Sequence, residues 1–239
     1  MVRKLAYSVS EREHWVSALG ALFGILAVMW VGETWLGKNG GLLSVASMGA
    51  ASVLLFAAPH GALSQPWPVF GGNVVSALIG VTCARWLGAD PMLAASLAVA
   101  LSIAAMYSMR CLHPPGGATA LYAVLGGDAV HSLGYGYALN PVLIDVVILL
   151  VVAVTFNYPF VWRRYPQSWH LRRPVKASDT AEKSMIPHSS LVYALSQIDT
   201  FVDVSEEDLQ QIYALALKGV PQAQPEKVPG LQPVAEVRA

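Results

Sequence analysis

One segment near the middle of the chain brings together residues that can bind an anion. It reads MRCLHPPGGATALYAVLGG, residues 109–127, and places Arg110 and His113 shortly before two successive prolines, Pro114 and Pro115. Proline has no amide hydrogen and a fixed backbone angle, so this pair is expected to end one helix and to begin the next. The segment therefore predicts a helix start with an arginine and an imidazole beside it.

The first turn of that second helix is the predicted anion site. Amide groups in a first turn have no intrahelical partner, and a helix start carries about half a positive charge. Gly116 and Gly117 are expected to supply the first free N–H donors, with Thr119 in the same turn. Arg110 and His113 would add positive charge beside them. The alternatives are structural: the arginine anchors the chain at the membrane surface, and the histidine is a neutral ring bonded to a backbone carbonyl.

A second segment repeats this order of residue types. In SQPWPVFGGN a glutamine and a proline precede two glycines and an asparagine: Gln65, Pro66, Gly71, Gly72 and Asn73. Transporters place paired broken helices so that helix starts face the substrate. If the two segments are related by internal symmetry, one anion binds between their helix starts. The alternatives are a chance likeness of two Gly- and Pro-rich turns, and structural roles for the glutamine and the asparagine.

Both segments lie among long apolar blocks. Only 13% of the residues are charged and 55% are apolar, whereas soluble domains average about 25% charged residues. Several blocks approach the roughly 17–25 residues with which a helix crosses a bilayer. The blocks are residues 15–31, 42–58, 74–84, 92–109 and 141–156. None has the charged outer face of a helix in a large soluble core, so we predict an all-α, polytopic helical membrane protein.

Basic residues set the predicted orientation. Arg3, Lys4 and Arg12 precede the first block, and five basic residues follow the last one between positions 163 and 176. The positive-inside rule then places both termini in the cytoplasm, which requires an even number of crossings. There are six crossings if residues 114–130 count as one, and four if the short segments are re-entrant. We predict about six segments, two of them short or broken.

One acidic residue lies inside a predicted span. Asp145 falls about one turn into the last apolar block, where an ionisable group is costly and by default functional. We expect it either to pair with Arg85 or to act as a proton relay.

The chain divides into five regions by composition. They are a cytoplasmic N-terminal arm (1–14), a transmembrane domain (15–162), a basic juxtamembrane linker (163–188), a short helical cytoplasmic tail (189–219) and a disordered C-terminus (220–239). In the tail, Ser205 and Asp208 form a pattern that resembles a capping box, and Gly219 with Pro221 ends the helix that follows.

The sequence lacks the motifs that are typical of several classes of enzyme and metal site. The chain has no phosphate-binding glycine loop with its lysine, no zinc-protease histidine pair and no Gly-x-Ser-x-Gly turn. Its two cysteines, Cys83 and Cys111, are too few for a disulfide framework or a cysteine-based metal site. We therefore expect no enzyme activity, no metal, no cofactor and no nucleic-acid partner. An intramembrane enzyme with His113 as its base is the weakest alternative, because no second catalytic group stands near it in the sequence.

The motif HPPGGATAL, which begins at His113, resembles the signature of the HPP family of integral membrane proteins. SQPWPVFGGNVVSALIGV is similar to the second motif of that family, and NYPFVWRRYP to its closing segment. The resemblance covers residues 15 to about 166 and implies nitrite transport, with which members from chloroplasts and cyanobacteria are associated. Two candidate lining positions depart from the family pattern: Asn73 replaces a histidine after Gly-Gly, and Trp67 replaces a basic residue after Gln-Pro.

We therefore expect the protein to move nitrite or a related small monovalent anion across a bacterial inner membrane, with lipid and the anion as its partners. A proton would accompany or follow the anion, because His113 is expected to titrate near neutral pH. The alternative is a non-transporting scaffold or sensor whose helix at residues 205–217 docks a cytoplasmic protein. Small residues on the helix faces permit a homo-oligomer without requiring one. Because the tail resembles only the linker that precedes CBS-type domains in some bacterial members, nucleotide regulation is not expected.

Overall fold

The computed structural model describes residues 11–36 and 45–169, and every regular element in those residues is helical. The α-helices are α1 (Glu11–Leu36), α2 (Val45–Ala57), α3 (Pro66–Leu87), α4 (Pro91–Ser108), α5 (Pro115–Leu125), α6 (Asp128–His131) and α7 (Ile144–Asn157). Short 3-10 or π-helical segments also occur, at Ala62–Ser64, Ala138–Leu143, Val161–Arg163 and Gln167–Trp169. The predicted all-α, polytopic class is confirmed.

Four helical segments are long and apolar enough to cross a membrane: Glu11–Trp35, Pro66–Leu87, Pro91–Ser108 and Ala138–Asn157. Two others are shorter, since α2 has 13 residues and α5 has 11. At 1.5 Å per residue they extend about 20 Å and 17 Å, less than the roughly 30 Å of a bilayer's hydrocarbon core. The predicted count of six includes these two short helices, and the count of four leaves them out.

Predictions about the two ends of the chain lie outside the described residues. They concern the arm before residue 11, the linker beyond residue 169, the helix at 205–217 and the C-terminal 20 residues.

The helices pack in two groups of three. α3 lies against α4 and α5, while α1 lies against α2 and α7. α2 also contacts α5, and the π-helical segment packs on α3, so the two groups are joined. The seam between α3 and α5 is tight: a Cβ on Gly80 would lie 2.7 Å from both the carbonyl oxygen of Ala120 and the Cβ of Ala123. A glycine at this crossing therefore brings the two helices into close contact.

Proline and aspartate set several helix starts. Pro66, Pro91 and Pro115 stand at the first turn of their helices, where a missing amide hydrogen costs nothing. Asp90 caps α4, because its carboxylate accepts a hydrogen bond from the N–H of Leu93 at 3.1 Å.

The last of the four long apolar segments, Ala138–Asn157, begins with a break. Ala138–Leu143 is π-helical, and within it Asn140 has non-helical angles, φ −144° and ψ 109°. Pro141 adds to the break because it cannot donate a backbone hydrogen bond. Asp145 follows in the first turn of α7, where its side chain is buried.

Candidate functional site

The structure brings the two Gly- and Pro-rich segments together. A Cβ built on Gly72 would lie 2.6 Å from the Cβ of His113 and 2.9 Å from the carbonyl oxygen of Cys111. One built on Gly116 would lie 2.6 Å from the carbonyl oxygen of Gly72 and 2.8 Å from the Oγ of Ser76. The early turns of α3 and α5 therefore meet in backbone contact, beside His113.

The glycines do not provide free amide donors. The N–H of Gly116 donates to the carbonyl of His113 at 2.9 Å, and that of Gly117 donates to the carbonyl of Pro114 at 3.0 Å. The expectation of open donors at these two positions is therefore wrong, because the Pro-Pro turn supplies local acceptors.

The second glycine pair also lies away from its helix start. α3 begins at Pro66, so Gly71 and Gly72 stand in its second turn, where amide groups have partners within the helix. Gly71 is buried, and a Cβ there would lie 3.0 Å from the Cβ of Cys111. Both glycines allow the turn after α4 to approach α3 closely.

His113 is fully buried and its ring is fixed on one side. Its Nδ1 lies 2.9 Å from the carbonyl oxygen of Leu63. A carbonyl only accepts, so Nδ1 carries the hydrogen, and a neutral ring then leaves Nε2 as a bare acceptor. Within the described residues, Nε2 has no hydrogen-bond partner.

Burial also sets the charge of His113, which lies in the turn between α4 and α5, outside the four long spans. Burial lowers the pKa of His113 from its ordinary 6.5 to about 4, against the bond to the Leu63 carbonyl, which raises it. The expectation that this residue titrates near neutral pH is therefore wrong for the protein without a ligand. The ring is neutral at pH 7.

Asn73 and Thr119 form a buried pair across the α3–α5 seam. The hydroxyl of Thr119 donates to the Oδ1 of Asn73 at 2.7 Å, and the Nδ2 of Asn73 donates to the carbonyl of Val69 at 2.8 Å. Because Nδ2 carries two hydrogens, one remains beyond this bond. On α4, Ser102 is also buried, and its hydroxyl has no partner among the described residues.

Gln65 is a structural residue rather than an open ligand. Its Nε2 donates to the carbonyl oxygens of Pro59 and Gly61, at 3.1 and 3.0 Å. Its Oε1 accepts a hydrogen bond from the backbone N–H of Gln167 at 3.1 Å. Through these hydrogen bonds, the Gln65 side chain joins the loop before α3 to the end of the described chain. This structural role explains a glutamine at this position without any contact to a substrate.

Arg110 does not join the buried group. Its side chain is exposed, and its φ of +52° places it in the left-handed turn that follows α4. The neighbouring carbonyl of Met109 accepts a hydrogen bond from the Nε1 of Trp67 at 3.1 Å, which ties the turn to α3. The predicted positive charge therefore stands at the surface, whereas His113 lies inside.

Asp145 and Arg85 form no ion pair within the described residues. Arg85 lies over the ring of Tyr135, with its guanidinium carbon 5.5 Å from the ring centroid. Nearby, the buried hydroxyl of Tyr137 has no hydrogen-bond partner in the described part of the chain. The pairing alternative for Asp145 is thus wrong, and the relay alternative stays a prediction.

A buried arginine is the main residue that the sequence did not reveal. Arg163 contacts three separate elements: it donates to Glu13 and Ser17 of α1, to the carbonyl of Phe56 in α2, and to the Oδ1 of Asn157 at the end of α7. Burial lowers its pKa, while the carboxylate of Glu13 acts in the opposite direction. In the sequence it was one of several basic residues after the last apolar block, and nothing in that pattern marks it as buried.

The described residues contain no cluster of three or more histidine, cysteine, aspartate or glutamate side chains that could hold a metal ion.

Comparison with known proteins adds a family and two relatives. The family model described as HPP, transmembrane region, matches residues 6–166. Two Dictyostelium discoideum proteins described as transmembrane proteins are similar: one is 31% identical over 64% of this chain and 50% of its own length, the other 32% identical over 58% and 55%. The chain thus spans about half the length of these curated relatives. No solved structure matches it.

Proposed function

Because the chain belongs to the HPP transmembrane family, we propose that it moves a small monovalent anion, with nitrite as the leading candidate, across the membrane that holds it. The single observation that carries this proposal is the bare Nε2 of His113. A buried polar atom without a partner costs roughly 1–3 kcal/mol. Such an atom in a membrane protein is a natural place for a transient ligand.

The charge state of His113 favours an anion that arrives with a proton. A neutral ring with its hydrogen on Nδ1 cannot donate from Nε2. A nearby negative charge raises the affinity of an imidazole for a proton, and the resulting Nε2–H then donates to the anion. The pair has no net charge, so it avoids most of the large cost of moving a lone ion into a low-dielectric interior.

Two further polar groups lie on α3 and α5, the helices whose early turns meet beside His113. Asn73 has a second Nδ2 hydrogen beyond its bond to Val69, and Thr119 has a hydroxyl that can rotate. Apart from the neighbouring residues of its own helix, nothing lies within 4 Å of the position where a Cβ on Gly117 would stand, so there is room on this side of α5. Nitrite suits this arrangement because it is the base of a weak acid and can share a proton with imidazole.

We place both termini in the cytoplasm, as the basic residues at 3–12 and 163–176 indicate. A bacterial inner membrane stays a prediction, since the two similar proteins above come from Dictyostelium discoideum.

The test is nitrite uptake into proteoliposomes, with and without an inward proton gradient, for the wild type and His113→Ala. We expect saturable uptake that the gradient stimulates and that the variant loses. His14→Ala is the matched control, because His14 is an exposed histidine on α1, and it should retain the wild-type rate.

Two results would contradict the proposal. Folded wild-type protein that moves none of nitrite, nitrate, formate or bicarbonate would make the scaffold or sensor the leading function. Undiminished uptake by His113→Ala would leave a transporter in which this histidine only holds a turn.

A further inference from the structure

A cavity of about 220 Å³ lies far from His113 along α3. Its lining comes from α3, α5, α6 and the chain that follows: Val81, Ala84, Arg85, Ala123, Val130, His131 and Gly134. Gly72 and Arg85 are 13 positions apart in one helix, so they are separated by about 20 Å at 1.5 Å per residue. The cavity therefore lies towards the opposite end of the bundle from the His-Pro-Pro turn.

Arg85 gives this cavity a positive charge. It stands in the last turn of α3 with its side chain exposed. The guanidinium lies over the ring of Tyr135, whose hydroxyl lies 3.2 Å from the Oγ1 of Thr82 in a hydrogen bond. The hydrogen bond to Thr82 positions the ring of Tyr135, and the ring positions the guanidinium of Arg85. The N–H groups of Arg85 are left available to donate to an anion.

No carboxylate neutralises Arg85 in the part of the chain that the structure describes, where the ion pair formed is Arg163 with Glu13. The acid closest to it in sequence, Asp90, accepts a hydrogen bond from the N–H of Leu93 at the start of α4. A cation without a counter-ion beside a cavity attracts anions and raises their local concentration.

The remaining lining sets the size and shape of the cavity. Val81, Ala84, Ala123 and Val130 are apolar. A 2.9 Å hydrogen bond between its Nε2 and the carbonyl oxygen of Val124 fixes the orientation of the His131 ring. At roughly 30 Å³ per water molecule, the volume equals about seven waters. It accommodates a small inorganic anion with part of its hydration shell.

We propose that this cavity is an anion-binding vestibule, in which Arg85 captures a small inorganic oxyanion before it moves towards His113. The movement after capture rests on the proposed function, whereas capture itself does not. The phosphate of a lipid headgroup has the same charge and similar oxygen acceptors, so the experiments separate a free anion from a lipid.

Binding is measured first, in detergent, from the unfolding temperature followed by tryptophan fluorescence. Sodium nitrite or sodium nitrate replaces sodium gluconate at constant ionic strength. A ligand that binds only the folded state stabilises it by RT ln(1 + [L]/Kd), so the unfolding temperature rises with ligand concentration. We expect a rise for the wild type, a smaller rise for Arg85→Lys and none for Arg85→Gln. Arg12→Gln removes an exposed arginine from the first turn of α1 and should behave as the wild type.

In a parallel series of unfolding measurements, phosphatidylglycerol replaces the inorganic anion. A stabilisation by this lipid that depends on Arg85, without one by nitrite or nitrate, would make the occupant a headgroup and overturn the proposal. Equal shifts in the wild type and Arg85→Gln would also overturn it.

Flux distinguishes a failure of the vestibule from a failure of transport. For Arg85→Gln we expect the KM for nitrite to rise roughly tenfold or more, because a hydrogen bond to a charged group is stronger than one between neutral groups, with the maximal rate unchanged. An unchanged KM would overturn the role of Arg85 in capture. Binding that depends on Arg85 in a protein without flux would keep the site and contradict only the proposed function.

Discussion

At the scale of single residues, the contacts of His113 confirm the structural alternative, and its anion-binding role stays a prediction. Its Nδ1 is bonded to the carbonyl of Leu63, as the structural alternative predicted, and its Nε2 has no partner in the described residues. The motif singles out this histidine, but the bond joins residues 50 positions apart. Its burial and tautomer therefore depend on packing that no local pattern encodes.

The buried ring predicts an acid-sensitive protein. The pKa of His113 is about 4 in the folded state and near 6.5 in an unfolded chain. Between these values the unfolded state binds more protons, so stability is fully present above pH 6.5 and falls as the pH drops towards 4. The loss from this residue reaches about 3 kcal/mol. We expect the unfolding temperature in detergent to decrease from pH 7.5 to pH 5.

His113→Gln removes that part of the pH dependence, since glutamine does not titrate. His14→Gln, at an exposed histidine on α1, should keep the wild-type slope. Parallel curves for the wild type and His113→Gln would show that the histidine is not the group responsible.

At the scale of helices, composition predicted the spans better than their ends. The apolar blocks correspond to α1, α2, α3, α4 and the last span. Composition finds them because a helix that crosses a bilayer needs about 20 predominantly apolar residues. The start of α3 differs: it begins at Pro66, before the glycine pair. The two prolines of the Pro-Trp-Pro sequence fit within the first turn of α3, where amide groups have no helical partner. The segment that was predicted to be a turn before the glycine pair is therefore part of the helix.

Alanine substitutions at the two adjacent glycines of α5 are expected to have different effects on the free energy of unfolding. A Cβ on Gly116 would lie 2.6 Å from the carbonyl of Gly72, whereas nothing lies within 4 Å of one on Gly117. We expect Gly116→Ala to lower the free energy of unfolding by about 1–3 kcal/mol through overpacking of the α3–α5 seam. Gly117→Ala should be neutral or slightly stabilising, because alanine favours helix. Thermal unfolding in detergent measures both.

The same pair tests the anion route. Gly117→Val should reduce nitrite uptake in a protein that unfolds at the wild-type temperature, because it fills space at the start of α5. Equal destabilisation at both positions would show that the seam does not distinguish them, and full uptake by folded Gly117→Val would remove this face of α5 from the route.

At the scale of the whole molecule, one buried arginine joins the group of α1, α2 and α7. Arg163 reaches Glu13 across 150 positions and Phe56 across 107. Trp162 donates its Nε1 hydrogen to the same glutamate at 2.9 Å. The sequence predicted these basic residues as topological signals only. Charge counting cannot reveal a contact that exists only after three helices have packed.

This network predicts a strong penalty for a single change and a partial rescue by a double one. Glu13→Gln removes the negative partner and leaves the Arg163 charge buried, which typically costs about 3–5 kcal/mol. Glu13→Gln combined with Arg163→Met removes the buried charge as well, and an apolar side chain of similar length fills the space. We expect the unfolding temperature to fall clearly in Glu13→Gln and to recover in part in the double variant. If the double variant is less stable than Glu13→Gln, the hydrogen bonds of Arg163 to Phe56 and Asn157, rather than its charge pair, hold the three helix ends together.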